Sequence, residues 1–513
     1  MIVVGAGIGG LAAALDLAAR GVEVLVLERA AQPGGKMRQV RLGGQAMDAG
    51  PTVFTMRWVF DELFAAAGAS LDDHITLRPA DTLARHAWTG GARLDLFSNI
   101  ERSADAIGDF SGAAEARGYR NFCARVQRIY QTLEDPFIRA QRPNPISLGR
   151  GVGLANLGDL WGISPFKTLW NALGEHFGDP RLRQLFARYA TYCGSSPFSA
   201  PATLMLVAHV EREGVWLPEG GMHGVAQAIA SLAAECGAVI RTGCDVREID
   251  TRSGRVTGVT LTTGESIPAD AVVVNADVSA IASGLFGRAV AHAAPHVARA
   301  ERSLSAVTWT MHAETNGFPL SRHNVFFSND YLAEFDDILV RRRSPENPTV
   351  YVCAQDRDDE SAPDERERLL CLVNAPPDGD INDFKTEIGP CASRTFALLE
   401  RCGLTIRAQT QTVTTPADFN RMFPGTGGAL YGMASHGWMA SFRRPGSRTK
   451  IPGLYLAGGS THPGPGVPMA TLSGRLAAES LLADFASTRR SRPAVMRGGT
   501  STPSAMTART RSH

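Results

Sequence analysis

The chain opens on the apolar run Ile2-Val3-Val4, breaks at Gly5-Ala6-Gly7-Ile8-Gly9-Gly10, and continues as the helical run Leu11-Ala12-Ala13-Ala14-Leu15. A second strand follows at Val22-Glu23-Val24-Leu25-Val26-Leu27 and ends on Glu28. Near the other end the order repeats, with a strand at Gly453-Leu454-Tyr455-Leu456, a glycine-rich loop from Ala457 to Met469, and a helical run from Ala470 to Ala483. Between them, Val239 to Ile249 reads as strands, Arg255 to Leu261 pairs across a turn with Glu265-Ser266-Ile267, and Ala271 to Ala276 returns as a buried strand. Clusters of β-branched and apolar residues at Ser305–Met311, Thr349–Cys353 and Leu369–Val373 predict a further sheet. A long helical insert runs from about residue 100 to 212.

These elements predict an α/β chain with a discontinuous nucleotide domain from 1–70, 215–300 and 445–485. A second, α+β domain from 71–214 and 301–444 is interleaved with it, and the strands of its sheet form a wall over the cofactor. Residues 486–513 hold six arginines and no acid. With many Ser, Thr, Gly and Pro they cannot build a core and are expected to be a disordered basic tail.

The first glycine turn carries the spacing of a dinucleotide pocket. Gly5 makes the tight turn, Gly7 lets the backbone approach a pyrophosphate, Gly10 brings the helix close to the sheet, and Glu28 binds ribose hydroxyls. Pyrophosphate then sits on the helix N-terminus, where free N–H groups and the dipole favour negative charge. Past Glu28, Arg29 and the run Gly34-Gly35-Lys36-Met37 add amides and positive charge that an NAD site does not need. The second strand-to-helix turn, with Gly458 and Gly459, suits the other half of a long two-headed cofactor, the ribityl chain and flavin ring. Val246 lies on the strands near the adenine. Gly466, Val467, Pro468 and Met469 are expected beside the isoalloxazine, opposite Pro51 and Thr52. FAD is the cofactor these two turns predict, and nicotinamide is not expected, because no second Gly-x-Gly-x-x-Gly follows a strand.

Composition adds mainly exclusions. A net charge of +1 gives no global reason to expect nucleic acid. Eight scattered cysteines without a Cys-x-x-Cys pair suggest reduced thiols in a cytoplasmic compartment. No metal-ligand spacing appears among the twelve histidines. The chain begins directly on its first strand, which leaves no room for a signal peptide, although a few residues could be missing from the start. No run reaches the ~18 apolar residues needed to span a bilayer. The Leu- and Trp-rich segment Leu154 to Leu173 reads as a helix pair on the core, with a membrane-interface surface as the alternative. The charged loops Arg341-Arg342-Arg343 and Asp356 to Glu360 are expected to be solvated.

Taken with Leu217-Pro218-Glu219-Gly220-Gly221-Met222, Asp48-Ala49-Gly50-Pro51-Thr52, Pro33 to Met37 and Thr461-His462-Pro463-Gly464, the whole resembles the flavin-dependent amine-oxidase and phytoene-desaturase superfamily. The resemblance covers roughly residues 1 to 485, and within it the chain is similar to the bacterial carotenoid desaturases. Gly458-Gly459-Ser460 lacks the carboxylate that amine oxidases carry for the ribityl chain, a departure the desaturase branch tolerates. The run Gly50 to Arg57 with Val59 to Phe64 is most like the hydroxyneurosporene and methoxyneurosporene desaturases.

The resemblance implies removal of two hydrogens from C3–C4 of a 1-hydroxy or 1-methoxy carotenoid, one passing to flavin N5 as hydride and a proton leaving the neighbouring carbon. It also implies a substrate drawn from lipid by a protein peripheral to the inner, photosynthetic membrane, with oxygen or a quinone as electron acceptor. No catalytic base is assigned, and His462, Arg139 and Arg142 are expected to be structural. Phytoene or neurosporene desaturation, an amine or porphyrinogen oxidase, and a flavin-free prenyl-lipid carrier such as the GDP-dissociation inhibitors are the other readings. The intact glycines at both turns argue against the last of these.

Overall fold

The computed structural model describes residues 1–152, 166–297, 300–358, 363 and 365–490. Its nucleotide-binding half is a five-stranded sheet in the order Leu454–Leu456, Val272–Val274, Ile2–Val4, Leu25–Leu27 and Val239–Arg241. Every neighbouring pair in it is parallel. The three central strands are three-residue Val/Ile/Leu runs, as expected where helices cover both faces and no polar side is needed, while the outer two carry Tyr455 and Arg241. The first helix, Ile8–Ala18, is buried along its whole length, which its small Ala and Gly residues allow. It packs against the C-terminal helix Val467–Arg490, where a Cβ added at Gly474 would lie 2.1 Å from the Gly9 carbonyl oxygen. Three helices, Ile8–Ala18, Gly221–Glu235 and Val467–Arg490, therefore share one core with the sheet.

A second sheet has seven strands ordered Leu404–Thr414, Ser305–Gly317, Glu367–Ala375, Val350–Ala354, His323–Phe326, Thr82–Ala87 and Arg93–Phe97. All pairs are antiparallel except His323–Phe326 with Thr82–Ala87. The three predicted strands at 305, 349 and 369 are its centre. The hairpin of residues 82–97, turning at Gly90-Gly91, was not foreseen. Helices including Ala113–Leu133 and Leu206–Arg212 pack together in a further apolar cluster beside this sheet.

One expectation is corrected. The C-terminal helix continues past Phe485 to Arg490, so the folded chain extends beyond the start predicted for the basic tail; residues 491–513 lie outside the described residues. In the charged loops Arg341 and Arg342 are exposed and pair with Asp337 and Asp378, Arg357 lies 2.7 Å from buried Glu367, and Asp359 and Glu360 lie outside the described residues. Most of the Leu154 to Leu173 segment, residues 153–165, lies outside the described residues. Its final turn, Leu169–Leu173, is a helix with Leu169, Ala172 and Leu173 buried.

Candidate active site

The first glycine turn is built as its spacing demands, with one change of role. Gly5 sits at φ +95°, a conformation that favours glycine, and a Cβ at Gly10 would lie 2.0 Å from the Gly5 carbonyl oxygen. Gly7 faces Asn275: a Cβ there would stand 2.8 Å from Asn275 Nδ2. The same side chain would collide with a Cβ at Gly9 or Gly458, at 2.7 and 2.8 Å from Oδ1. Asn275 is thus clasped by glycines of both turns, and the glycine at position 7 serves this clasp as well as any phosphate approach. Gly7 caps the helix without a side chain, and the first helical turn holds no acid, so its N–H groups are left for another acceptor.

Glu28, nearly buried, accepts the N–H of Ala6 at 2.6 Å and of Ala30 at 2.8 Å, one on each oxygen. Each oxygen keeps a lone-pair direction for a hydroxyl. The Gly34-Gly35 pair folds back on this turn, with the Gly34 N–H donating to the Ala6 carbonyl at 2.8 Å and a Cβ at Gly35 reaching 2.9 Å from Gly7 Cα. Lys36 also lines the cavity, and its ammonium donates to the Leu430 carbonyl at 2.6 Å and lies 5.3 Å from the Phe423 ring centre. Burial lowers its pKa, opposed by the charge of Asp277.

The segment after Asp48 is more than a turn. The Asp48 carboxylate accepts the N–H of Met222 at 2.6 Å, and its backbone exchanges hydrogen bonds with the Gln355 amide at 3.0 and 2.8 Å. Burial pushes its carboxyl up. This places Pro51 and Thr52 against the second sheet, where Thr52 Oγ1 is 2.7 Å from the Tyr351 hydroxyl, itself 2.7 Å from His323 Nδ1. On the second turn, Gly458 takes φ +113° and receives support from Ser473 Oγ on its N–H at 3.2 Å. Ser460 Oγ accepts the N–H of Val278, next to Asp277, a cavity-lining carboxylate that sequence reasoning did not single out.

One continuous cavity of about 1560 Å³ runs past both turns. Gly5, Gly7, Glu28, Arg29, Gly35, Lys36, Met37, Pro51, Thr52, Val246, Gly458, Gly459, Val467, Pro468 and Met469 line it; Gly10 does not, since it packs against Gly5. Apolar side chains line much of the rest, among them Leu133, Phe137, Val207 and Val210 from the helices and Val325, Leu370 and Leu372 from the sheet, with Arg188, Tyr192, Glu211 and Tyr331 between them. His462, Arg139 and Arg142 stay off the cavity. Arg139 is held by Glu62 at 3.0 Å and lies 3.8 Å over Trp58, while His462 packs edge-on against Phe137, its pKa pushed down to about 4 by burial. Among the described residues, no cluster of His, Cys, Asp or Glu could hold a metal ion.

Two glycine turns at helix N-termini, an acid at the end of the second strand and a long two-part cavity define a dinucleotide-binding flavoprotein. The chain belongs to the flavin containing amine oxidoreductase family, whose model matches residues 8–482, and FAD is its cofactor. It is 58% identical over 512 residues to a hydroxyneurosporene desaturase of Rubrivivax gelatinosus, covering 99% of this chain and 98% of that one. Identity to the hydroxyneurosporene desaturase of Cereibacter sphaeroides is 44% over 494 residues, covering 96% and 99%. A 4,4'-diapolycopene oxygenase of Methylomonas sp is 30% identical over 500 residues, covering 94% and 98%. Among solved structures, an oxidoreductase from Methanosarcina mazei superposes with a TM-score of 0.61 at 17% identity, covering 93% of this chain and 99% of that one. A cofactor-site mutant of putrescine oxidase gives 0.60 at 13%, covering 94% and 98%. These two likenesses establish the fold alone.

Proposed function

We propose that the chain is an FAD-dependent carotenoid desaturase that removes two hydrogens from C3–C4 of a 1-hydroxy or 1-methoxy carotenoid. The observation that carries this reading is the cavity. Its volume of about 1560 Å³ exceeds the roughly 300–1,000 Å³ that holds a single drug-sized ligand, which leaves an arm beyond the cofactor turns with many apolar side chains in its lining. A polyene chain fits such an arm, and the near full-length likeness to hydroxyneurosporene desaturases supports the end group.

The division of labour follows from the lining. Bound FAD supplies the acceptor for an electron pair and one hydrogen from the allylic carbon. The apolar walls exclude water, so the reacting bond is aligned in a dry channel. Thr52, bonded to Tyr351, and the backbone at Val467 to Met469 line the same cavity and are the groups we assign to bracket the reacting bond.

A substrate that water does not dissolve must enter from lipid. No helix among the described residues is long and apolar enough to cross a membrane. Instead, Trp438, which lines the cavity, packs edge-on against exposed Phe166 at 5.4 Å. Exposed Ile146 stands on the helix that carries the cavity residue Leu148. These three side chains support peripheral docking on a membrane surface, with the apolar rings in the interface where Trp is favoured. Electrons then leave to oxygen or a membrane quinone.

The test uses FAD-loaded protein with liposomes carrying 1-hydroxyneurosporene or phytoene, followed by chromatography with absorption spectra and mass. Loss of two hydrogens with a red shift in the hydroxylated sample alone is the expected result. Conversion of phytoene alone moves the enzyme to an earlier step of the same chemistry, and conversion of neither, with oxygen consumption on amines, overturns the reading.

A further inference from the structure

Among the apolar side chains of the cavity stands a small polar cluster, separate in sequence from the glycine turns that would hold the cofactor. Arg188 and Tyr331 both line the cavity and are 6% and 7% exposed. The Nε–H of Arg188 and the hydroxyl of Tyr331 have no hydrogen-bond partner. Arg188 comes from the turn Arg188–Cys193 and lies 4.8 Å from the ring centre of Tyr192 and 5.8 Å from that of Tyr189. The one carboxylate of this cluster on the cavity wall, Glu211, is already taken: one oxygen accepts the Tyr189 hydroxyl and the other the Tyr192 hydroxyl at 3.0 Å. Burial works against the charge of Arg188, and Tyr192, Glu211 and Tyr189 outweigh it, so the group remains a cation. Its charge is felt by Tyr331 and by Tyr351, the residue that holds Thr52.

Two unpartnered buried donors in one apolar channel are costly unless a ligand supplies an acceptor. A plain hydrocarbon end has none. A terminal hydroxyl or ether oxygen has lone pairs for both donors, and donors alone treat the two oxygens alike. Position agrees: in a 1-hydroxy carotenoid the oxygen-bearing carbon is two carbons from C3, so an anchor for that oxygen has to sit close to the reacting bond. Arg188 lies over Tyr189 and Tyr192, and these rings pack in one cluster with Tyr331 and with Tyr351, the partner of Thr52.

The geometry points to Arg188 Nε and the Tyr331 hydroxyl as the specificity-determining pair that receives the oxygen of the substrate's C1 end group. The assignment rests on the proposed function and makes the end group a positioning handle. With its oxygen held by the two donors, C3 and C4 are placed in register with the cofactor site, and a chain lacking the oxygen leaves both donors unsatisfied. A site built to bond an oxygen rejects the analogue without it far more strongly than an apolar pocket discriminates by size.

The experiment compares flavin-loaded wild type, Tyr331→Phe and Arg188→Met on liposomes, measuring KM for 1-hydroxyneurosporene and the inhibition constant of neurosporene, which differs at the end group. In wild type the hydroxylated chain is expected to bind about tenfold or more tightly than neurosporene. Tyr331→Phe should reduce that ratio several-fold, and Arg188→Met should bring it near one, with neurosporene binding unchanged. Unchanged ratios in flavin-loaded variants overturn the anchor while leaving desaturation standing, and failure of wild type to convert the hydroxylated chain overturns the function beneath it. If Arg188→Met does not retain flavin, Tyr331→Phe, which removes a single hydroxyl, decides the matter.

Discussion

The carboxylate of Asp48 and the backbone N–H of Met222 meet at 2.6 Å, and that contact joins two sequence motifs that lie 174 positions apart. Gly221 makes the approach possible. At φ +74°, a Cβ there would stand 2.1 Å from Asp48 Oδ2, whereas at neighbouring Gly220 the nearest atom is 3.9 Å away. Both positions carry backbone strain for alanine, but only one carries the clash. Gly221→Ala is therefore expected to destabilise by about 1–3 kcal/mol more than Gly220→Ala. Thermal unfolding of the two variants checks this, and equal shifts would show that the contact is not what constrains the motif.

The clasp around Asn275 gives a sharper expectation for the first turn. Gly7→Ala should weaken flavin retention because its methyl meets Nδ2 of Asn275, whose own hydrogen bond to the Gly5 carbonyl is long at 3.4 Å. Adding Asn275→Ala should recover retention in part. Gly7→Val, larger still, should hold no flavin. Flavin stoichiometry after gel filtration is the measurement, and a Gly7→Ala, Asn275→Ala double variant as poor as the single one would place the obstruction at the phosphate instead.

Membrane association should depend on the rings at the cavity mouth. Trp438→Ser, at a side chain 45% exposed, is expected to lower sedimentation with liposomes several-fold while flavin content stays at wild-type levels. Full sedimentation of Trp438→Ser together with Phe166→Ser would remove this face as the docking surface.

Acid should destabilise the fold early. Burial holds His86 and His323 down to about 3 and His462 to about 4, against an ordinary value of 6.5. As pH falls below 6.5 the unfolded chain takes up these protons while the native chain does not, so stability is lost through that window, by up to about 1.4 kcal/mol per pH unit for each group. Glu334 acts in the opposite sense: burial raises it to about 7, and its contribution is lost as pH rises from 4.5 through 7. His462→Asn should flatten the slope of unfolding free energy between pH 6 and 5. An unchanged slope would mean that His462 is accessible to protons in the native protein.

Much of the cofactor half could be read from the chain because glycine spacing and a strand-ending acid are local signals. Gly5, Glu28 and the Gly458 turn lie within a few residues of the elements they serve. Asn275 was hidden because its role depends on three glycines brought to it from both ends of the sequence. The bond of the Lys36 ammonium to the Leu430 carbonyl spans 394 positions and leaves no local signal. Arg188, Tyr192 and Tyr331 left no pattern either. They sit on a 3-10 turn and at the start of a five-residue helix, where no regular period marks which side chains face inward. The hairpin of residues 82–97 was missed because its strands join the second sheet through His323–Phe326, far along the chain.

The order of strands in the parallel sheet has a consequence for how the protein is made. Ile2–Val4 is flanked by Val272–Val274, which in turn is flanked by Leu454–Leu456, and the helix that closes the second turn begins only at Val467. A ribosome working at about 5–20 residues per second therefore takes on the order of half a minute or more between the first glycine turn and the last. Throughout that time the cofactor has only half a binding site, although the apolar side chains from Leu133 to Leu372 are made before the last turn. Flavin is therefore expected to load only once the chain is finished, and a cell short of riboflavin is expected to accumulate complete chains with an empty cavity.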